Sequence, residues 1–191
     1  MRYWYSFFLT LLLISFSVVL AQAADDGFGD SNKIEGEHFT IEYKAGIGLN
    51  SLIEQLKVSA TDQQLTNLKV DHSSSEKELA SMIEILFNRA SDVLDMHVYS
   101  LKGHIKIFSD HSQLEAFYRQ LFHGDLPCTG LSFYLADYDS IYISAADFRR
   151  EILGHEMVHA IMTRYFVVQP SIKIQEVLAG YVEFSLRKTK E

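Results

Sequence analysis

An α+β domain with a short mixed sheet, an edge hairpin and two C-terminal helices is predicted by three patterns in this 191-residue chain. Residues 38–43 and 104–108 alternate apolar with polar side chains, as half-buried strands do. Residues 76–97 and most of 145–187 space their apolar side chains at the helical period instead. Two apolar-aromatic runs, Leu131 to Leu135 and Ile141 to Ser144, flank Ala136-Asp137-Tyr138-Asp139-Ser140, which is a hairpin signal. Strand, helices, strand, helix, hairpin and helices, in that order, describe a mixed domain with segregated elements.

With 48% apolar and 22% charged residues the composition is that of one globular domain able to bury a core. Residues 1–23 stand apart: Arg2 gives a positive start, Phe7 to Leu20 is almost wholly apolar, and Ala21-Gln22-Ala23 offers the small residues that a signal peptidase reads. They are expected to be a cleaved secretory signal. The alternative is an uncleaved membrane anchor, Trp4 to Leu20 being at the short limit for a span. Residues 24–37, rich in Asp, Gly and Ser, read as a flexible lead-in, and 38–191 as a single domain. A periplasmic or extracellular location in a bacterium fits the signal and the single cysteine, Cys128, which permits no internal disulfide. The formal charge is −8, and removal of Arg2 with the signal takes it to −9. Such a surface repels nucleic acid and anionic lipid, so contact with a membrane is expected only if the signal is retained.

The elements follow in order. His38-Phe39-Thr40-Ile41-Glu42-Tyr43 should be a strand with Phe39, Ile41 and Tyr43 on one face, ended by Gly46 and Gly48. Leu49, Leu52, Ile53 and Leu56 suggest a short helix, and the polar stretch from there to Ser75 has no clear pattern. Leu79, Met82, Ile83, Leu86, Ala90, Val93 and Leu94 then form one face of a long helix, 76–97, with Ser75 and Glu78 spaced as a capping box. After the strand 104–108, Ser109-Asp110 caps a helix whose apolar side is Leu114, Phe117, Tyr118, Leu121 and Phe122. His97 reads as a helix-terminal residue, and His111 and His123 lie in polar surroundings that suit solvated side chains. Beyond Ala145 two helices are separated near Gln169-Pro170, because proline is poorly tolerated in a helix interior.

The first of these helices carries Gly154-His155-Glu156-Met157-Val158-His159. Residues four apart on a helix lie nearly above one another, so His155 and His159 can hold one ion between them. Glu156 is one step round, placed to reach a water on that ion. This is the His-Glu-x-x-His arrangement, in which zinc takes two nitrogens and the glutamate acts as general base. The pattern alone is suggestive, and its apolar neighbours strengthen it. Ile152, Leu153, Met157, Val158, Ala160, Ile161 and Met162 bury the helix, and a metal would offset the cost of desolvating the imidazoles and carboxylate. Ala160 to Phe166 lacks the His-x-x-Gly-x-x-His continuation of metzincins, which excludes that class. A catalytic zinc also needs a third protein ligand. Glu176-Val177-Leu178-Ala179-Gly180-Tyr181-Val182-Glu183 lies on the next helix, with room for a turn at Pro170 and a return alongside.

Here the chain resembles the gluzincin branch of zinc metallopeptidases, most closely the small peptidase MA-like domains, in which a helix reading roughly Glu-Gly-x-Ala-x-Tyr-x-Glu follows the His-Glu-x-x-His helix. The resemblance is strong over 100–187, looser over 38–99 and absent from the signal. It implies a zincin-like fold with both C-terminal helices at the active site, one catalytic Zn2+ held by His155, His159 and Glu176, Glu156 as base, and a zinc-bound water as nucleophile toward a peptide or protein substrate. It also implies a rim strand that pairs with an extended peptide, for which Ile141-Tyr142-Ile143-Ser144 is the match. Val177 stands where the family has glycine, a bulkier neighbour that could narrow the site without removing a ligand atom. Glu183, two turns after Glu176, is placed to accept the free N–H of a ligand histidine, or is a solvated glutamate. Tyr181 points away from that face and is not expected to stabilise an oxyanion. Eight residues follow Glu183, so specificity is expected from the hairpin and the lead-in, or the substrate range is narrow. The competing expectations are an exported zinc-binding scaffold or partner-binding domain with little or no hydrolysis, and a redox or thiol enzyme built on Cys128, which would be insensitive to chelators.

Overall fold

The computed structural model describes residues 26–124 and 132–188. The expectations for the signal at 1–23, for Cys128 and for Leu131 lie outside those residues. Within them the chain is α+β, with a mixed five-stranded sheet and six α-helices. The strands are β1 (Asn32–Glu35), β2 (Phe39–Tyr43), β3 (Gly103–Phe108), β4 (Ser132–Leu135) and β5 (Ser140–Ser144). The helices are α1 (Leu49–Leu56), α2 (Ala60–Thr66), α3 (Ser75–Leu94), α4 (His111–Phe122), α5 (Arg150–Tyr165) and α6 (Ile172–Lys188).

The sheet runs β1-β2-β3-β5-β4, parallel in the centre and antiparallel at both margins. Strand alternation sends Ile105, Ile107, Ile141 and Ile143 to one face, where they meet the apolar sides of α1, α3, α5 and α6 in the main core. Phe108 and Tyr142 go to the other face and pack with Leu114 and Phe117 of α4 and with Phe28. Helices thus cover both faces.

Four expectations are corrected here. Ile141 to Ser144 is not a rim strand: β5 is hydrogen-bonded to β3 on one side and β4 on the other, and all its residues are buried. An inner strand has no free backbone groups to offer a peptide, and the margin is β4. The lead-in is not simply a tether, since it contains β1, and Asp26 and Phe28 are buried. Asp26 accepts from Lys106 at 2.6 Å and from Tyr142, so polar side chains on the sheet hold a segment whose composition reads as loop. The stretch before Ser75 contains α2, capped by reciprocal hydrogen bonds between Ser59 and Asp62. Lastly, Ser74 rather than Ser75 caps α3, accepting from Lys77 N, and the helix stops at Leu94 where Asp95 turns left-handed.

Two features fix the C-terminal helices. Arg150, in the first turn of α5, is buried and pairs with the buried Asp62 at 2.8 Å, tying α5 to α2. Gly154 lets α6 press on α5: a Cβ there would lie 2.3 Å from Leu186 Cδ1.

Candidate metal centre and active site

α5 is buried over most of its surface, and its first polar opening is on the side of His155 and His159. Their rings lie 5.3 Å apart between centroids, tilted by 57°. α6 returns antiparallel after Pro170 and brings Glu176 over both. Glu176 Oε2 is 3.4 Å from His155 Nε2, and Oε1 is 3.5 Å from His159 Nε2. One donor atom from each of the three side chains lies within 4.8 Å of the others.

The far nitrogens are occupied. His155 Nδ1 is 3.3 Å from Glu183 Oε2, and His159 Nδ1 is 3.4 Å from Gln175 Oε1. Gln175 is itself held, its Nε2 donating to Pro170 O at 2.9 Å, and Glu183 pairs with Arg187. In the tautomer that donates Nδ1–H to these acceptors, each ring turns an Nε2 lone pair toward the Glu176 carboxylate. Two lone pairs and an anion facing one another repel unless a cation lies between them. Two ligands at zinc distances and a tetrahedral angle are roughly 3.3 Å apart, close to the separations seen here, so the donor set fits a zinc ion.

Glu156 is 6% exposed, and Ser132 Oγ on β4 donates to its Oε1 at 2.7 Å. Burial pushes its carboxyl above the usual carboxylate range, opposed by the Ser132 hydroxyl and by His159 and His155. A cavity of about 750 Å³ opens over this group, lined by His155, Glu156, His159 and Glu176 and walled by Phe133 and Tyr134 of β4. The Tyr134 hydroxyl is turned to Asp139 at 3.2 Å, and burial first, then Asp139, pushes its pKa up to about 12.

His155, His159 and Glu176 are thus brought together, with Glu156 alongside and Glu183 against His155. Tyr181 and Val177 are exposed outside the cavity, so Val177 does not narrow it. Ile141, Tyr142, Ile143 and Ser144 do not line it either. Gln175, Ser132 and Tyr134 escaped the sequence reading. Ser132 and Tyr134 alternate along β4, a signal that the period of two could have supplied. Among the described residues a second His-carboxylate group, Glu37, His38 and Glu84, has a different character. His38 Nδ1 and Glu84 Oε1 are hydrogen-bonded at 2.7 Å and Asn88 Nδ2 donates to the same oxygen, so His38 and Glu84 satisfy each other without an ion.

No family model matches this chain, and neither a curated protein nor a solved structure is significantly similar to it.

Proposed function

We propose that the protein is a zinc-dependent metallopeptidase of the gluzincin type, exported by its N-terminal segment, and that its fold is zincin-like. The observation that carries the proposal is the meeting of two imidazole Nε2 atoms and the Glu176 carboxylate, at 3.4 and 3.5 Å, beside a buried glutamate that is not one of the three. His155, His159 and Glu176 would hold the metal. Zinc there supplies Lewis acidity toward a peptide carbonyl and makes a water more acidic.

The chain's own residues do the rest. Glu156 accepts the proton of the attacking water and can deliver it to the leaving amine, and its raised pKa suits both halves of that transfer. Glu183 and Gln175 keep the two imidazoles in the tautomer that presents Nε2. Ser132 orients the Glu156 carboxylate. β4, the margin of the sheet among the described residues, lies beside the cavity and is the strand on which an extended peptide would add, with Phe133 and Tyr134 offering apolar contact. A metal-binding scaffold would need neither the buried Glu156 nor the cavity.

The test combines metal content with hydrolysis of an unfolded protein substrate. One zinc per chain and activity abolished by a chelator and restored by zinc are expected. Glu156→Gln should keep zinc and lose at least roughly 100-fold in kcat, whereas His159→Ala should lose both. Full turnover in Glu156→Gln, or a wild-type protein without affinity for zinc, refutes the proposal.

A further inference from the structure

Among the described residues, eight of the eleven large apolar side chains that stand exposed fall between Tyr165 and Phe184. Four of them, Ile174, Val177, Tyr181 and Phe184, form a stripe along α6, each more than half exposed. At 100° per residue this stripe lies about half a turn from Ala179, Val182 and Leu186, which bury α6 against the rest of the fold. α6 is therefore apolar on two opposite faces, the composition of a helix packed on both sides. Val167 and Val168, at the turn before α6, are exposed as well. The four side chains of the stripe expose on the order of 500 Å², within the roughly 300–600 Å² of the largest patch on a typical monomer and about the apolar share of the roughly 800 Å² each partner contributes to a stable interface.

We infer that this face is the interface of a symmetric dimer, in which α6 of one chain packs antiparallel on α6 of a second copy. The spacing of the stripe is three, four, three, so it reads the same in both directions. Its first half is aliphatic and its second half aromatic. An antiparallel copy sets Ile174 against Phe184 of the second chain and Val177 against Tyr181, a small side chain facing a large one at every level, which keeps the two axes evenly spaced. A parallel copy would crowd the aromatic end and leave the aliphatic end loose. The stripe itself holds no charge to repel a like copy. Lys188 stands over the Phe184 ring at 4.3 Å, at the end of the stripe where an interface rim belongs. Gly180, beside the midpoint, weakens the helix, yet no atom lies within 4 Å of where its Cβ would be. Nothing among the described residues requires that glycine, and close approach by a second helix accounts for it. The dimer does not depend on the catalytic proposal.

Sedimentation equilibrium of the exported protein should give twice the chain mass at micromolar concentration. Val177→Lys combined with Tyr181→Lys should weaken association at least ~30-fold, the loss of a central interface residue, and leave the far-ultraviolet circular dichroism unchanged because both side chains are exposed in the single chain. In a Cys128→Ser background, Ile174→Cys with Phe184→Cys should oxidise to an intermolecular disulfide, and Ile174→Cys alone should not. A monomer at 100-fold higher concentration, a dimer indifferent to the double lysine change, or cross-linking by Ile174→Cys alone would overturn the inference. So would binding of the wild-type monomer to phosphatidylglycerol vesicles that the lysine variant abolishes, which would assign the face to a bilayer.

Discussion

Glu183 is the residue whose role the geometry sharpens most. Two readings stood open from spacing alone, a partner for a histidine and a solvated carboxylate. Its Oε2 lies 3.3 Å from His155 Nδ1, and Arg187 occupies its other oxygen. A carboxylate so placed fixes the ring's tautomer and raises the basicity of Nε2. Glu183→Ala should therefore weaken zinc binding by about 10–100-fold, read by competition with a chromophoric chelator, while Tyr181→Phe, on the exposed side of α6, leaves it unchanged. Equal affinity in Glu183→Ala and wild type would return Glu183 to solvent. The site was legible at this scale wherever one helix period sufficed, as for His155, Glu156 and His159. Gln175 was not, because glutamine beside a ligand carries no signature until the ring it faces is known.

α5 and α6 form the element pair that makes the site, and Gly154 controls their spacing. The glycine within the Gly-His-Glu segment has no catalytic atom, yet Leu186 Cδ1 lies 2.3 Å from the position of its missing Cβ and Leu86 Cδ1 lies 3.8 Å from it. Gly154→Val should push α6 outward at a cost of about 1–3 kcal/mol, measured from urea unfolding. Leu186→Ala in the same chain should recover part of that loss, since the two positions compete for one space. Additive losses would show that the contact is not the cause. Helix existence was readable from periodicity, including both C-terminal helices and α1. The order of the hairpin strands was not. Ile141 to Ser144 and Ser132 to Leu135 have similar composition, and which one lies inside depends on pairing with β3, a contact made across more than 30 residues of chain.

The whole molecule is held on its second sheet face by a polar network that joins the lead-in to the strands. Glu42 is buried at the centre of it, bonded to His104 at 2.9 Å and Ser31 at 3.1 Å and paired with Lys33 at 3.2 Å. The His104 hydrogen bond, then the charges of Lys106 and Lys33, outweigh burial and bring its pKa from 4.5 to about 2. A folded-state carboxyl held below its unfolded value contributes stability that is fully present above pH 4.5 and lost as pH falls toward 2, because the unfolded chain binds the proton first. A shift of this size corresponds to about 3 kcal/mol. Urea midpoints should fall over that window in the wild type and much less in Glu42→Gln, whose stability is lower but flatter with pH; parallel curves would exclude Glu42 as the source. The sequence by itself determined the α+β class, most helices and the pair of histidines with their glutamate, because these depend on periods of two and 3.6 residues within one segment. Only the tertiary structure decided that Glu176 closes on both imidazoles, that β4 is the sheet margin among the described residues, and that residues 26–35 belong to the fold. Each of those depends on which surfaces are buried against which, and burial is a property of the assembled chain.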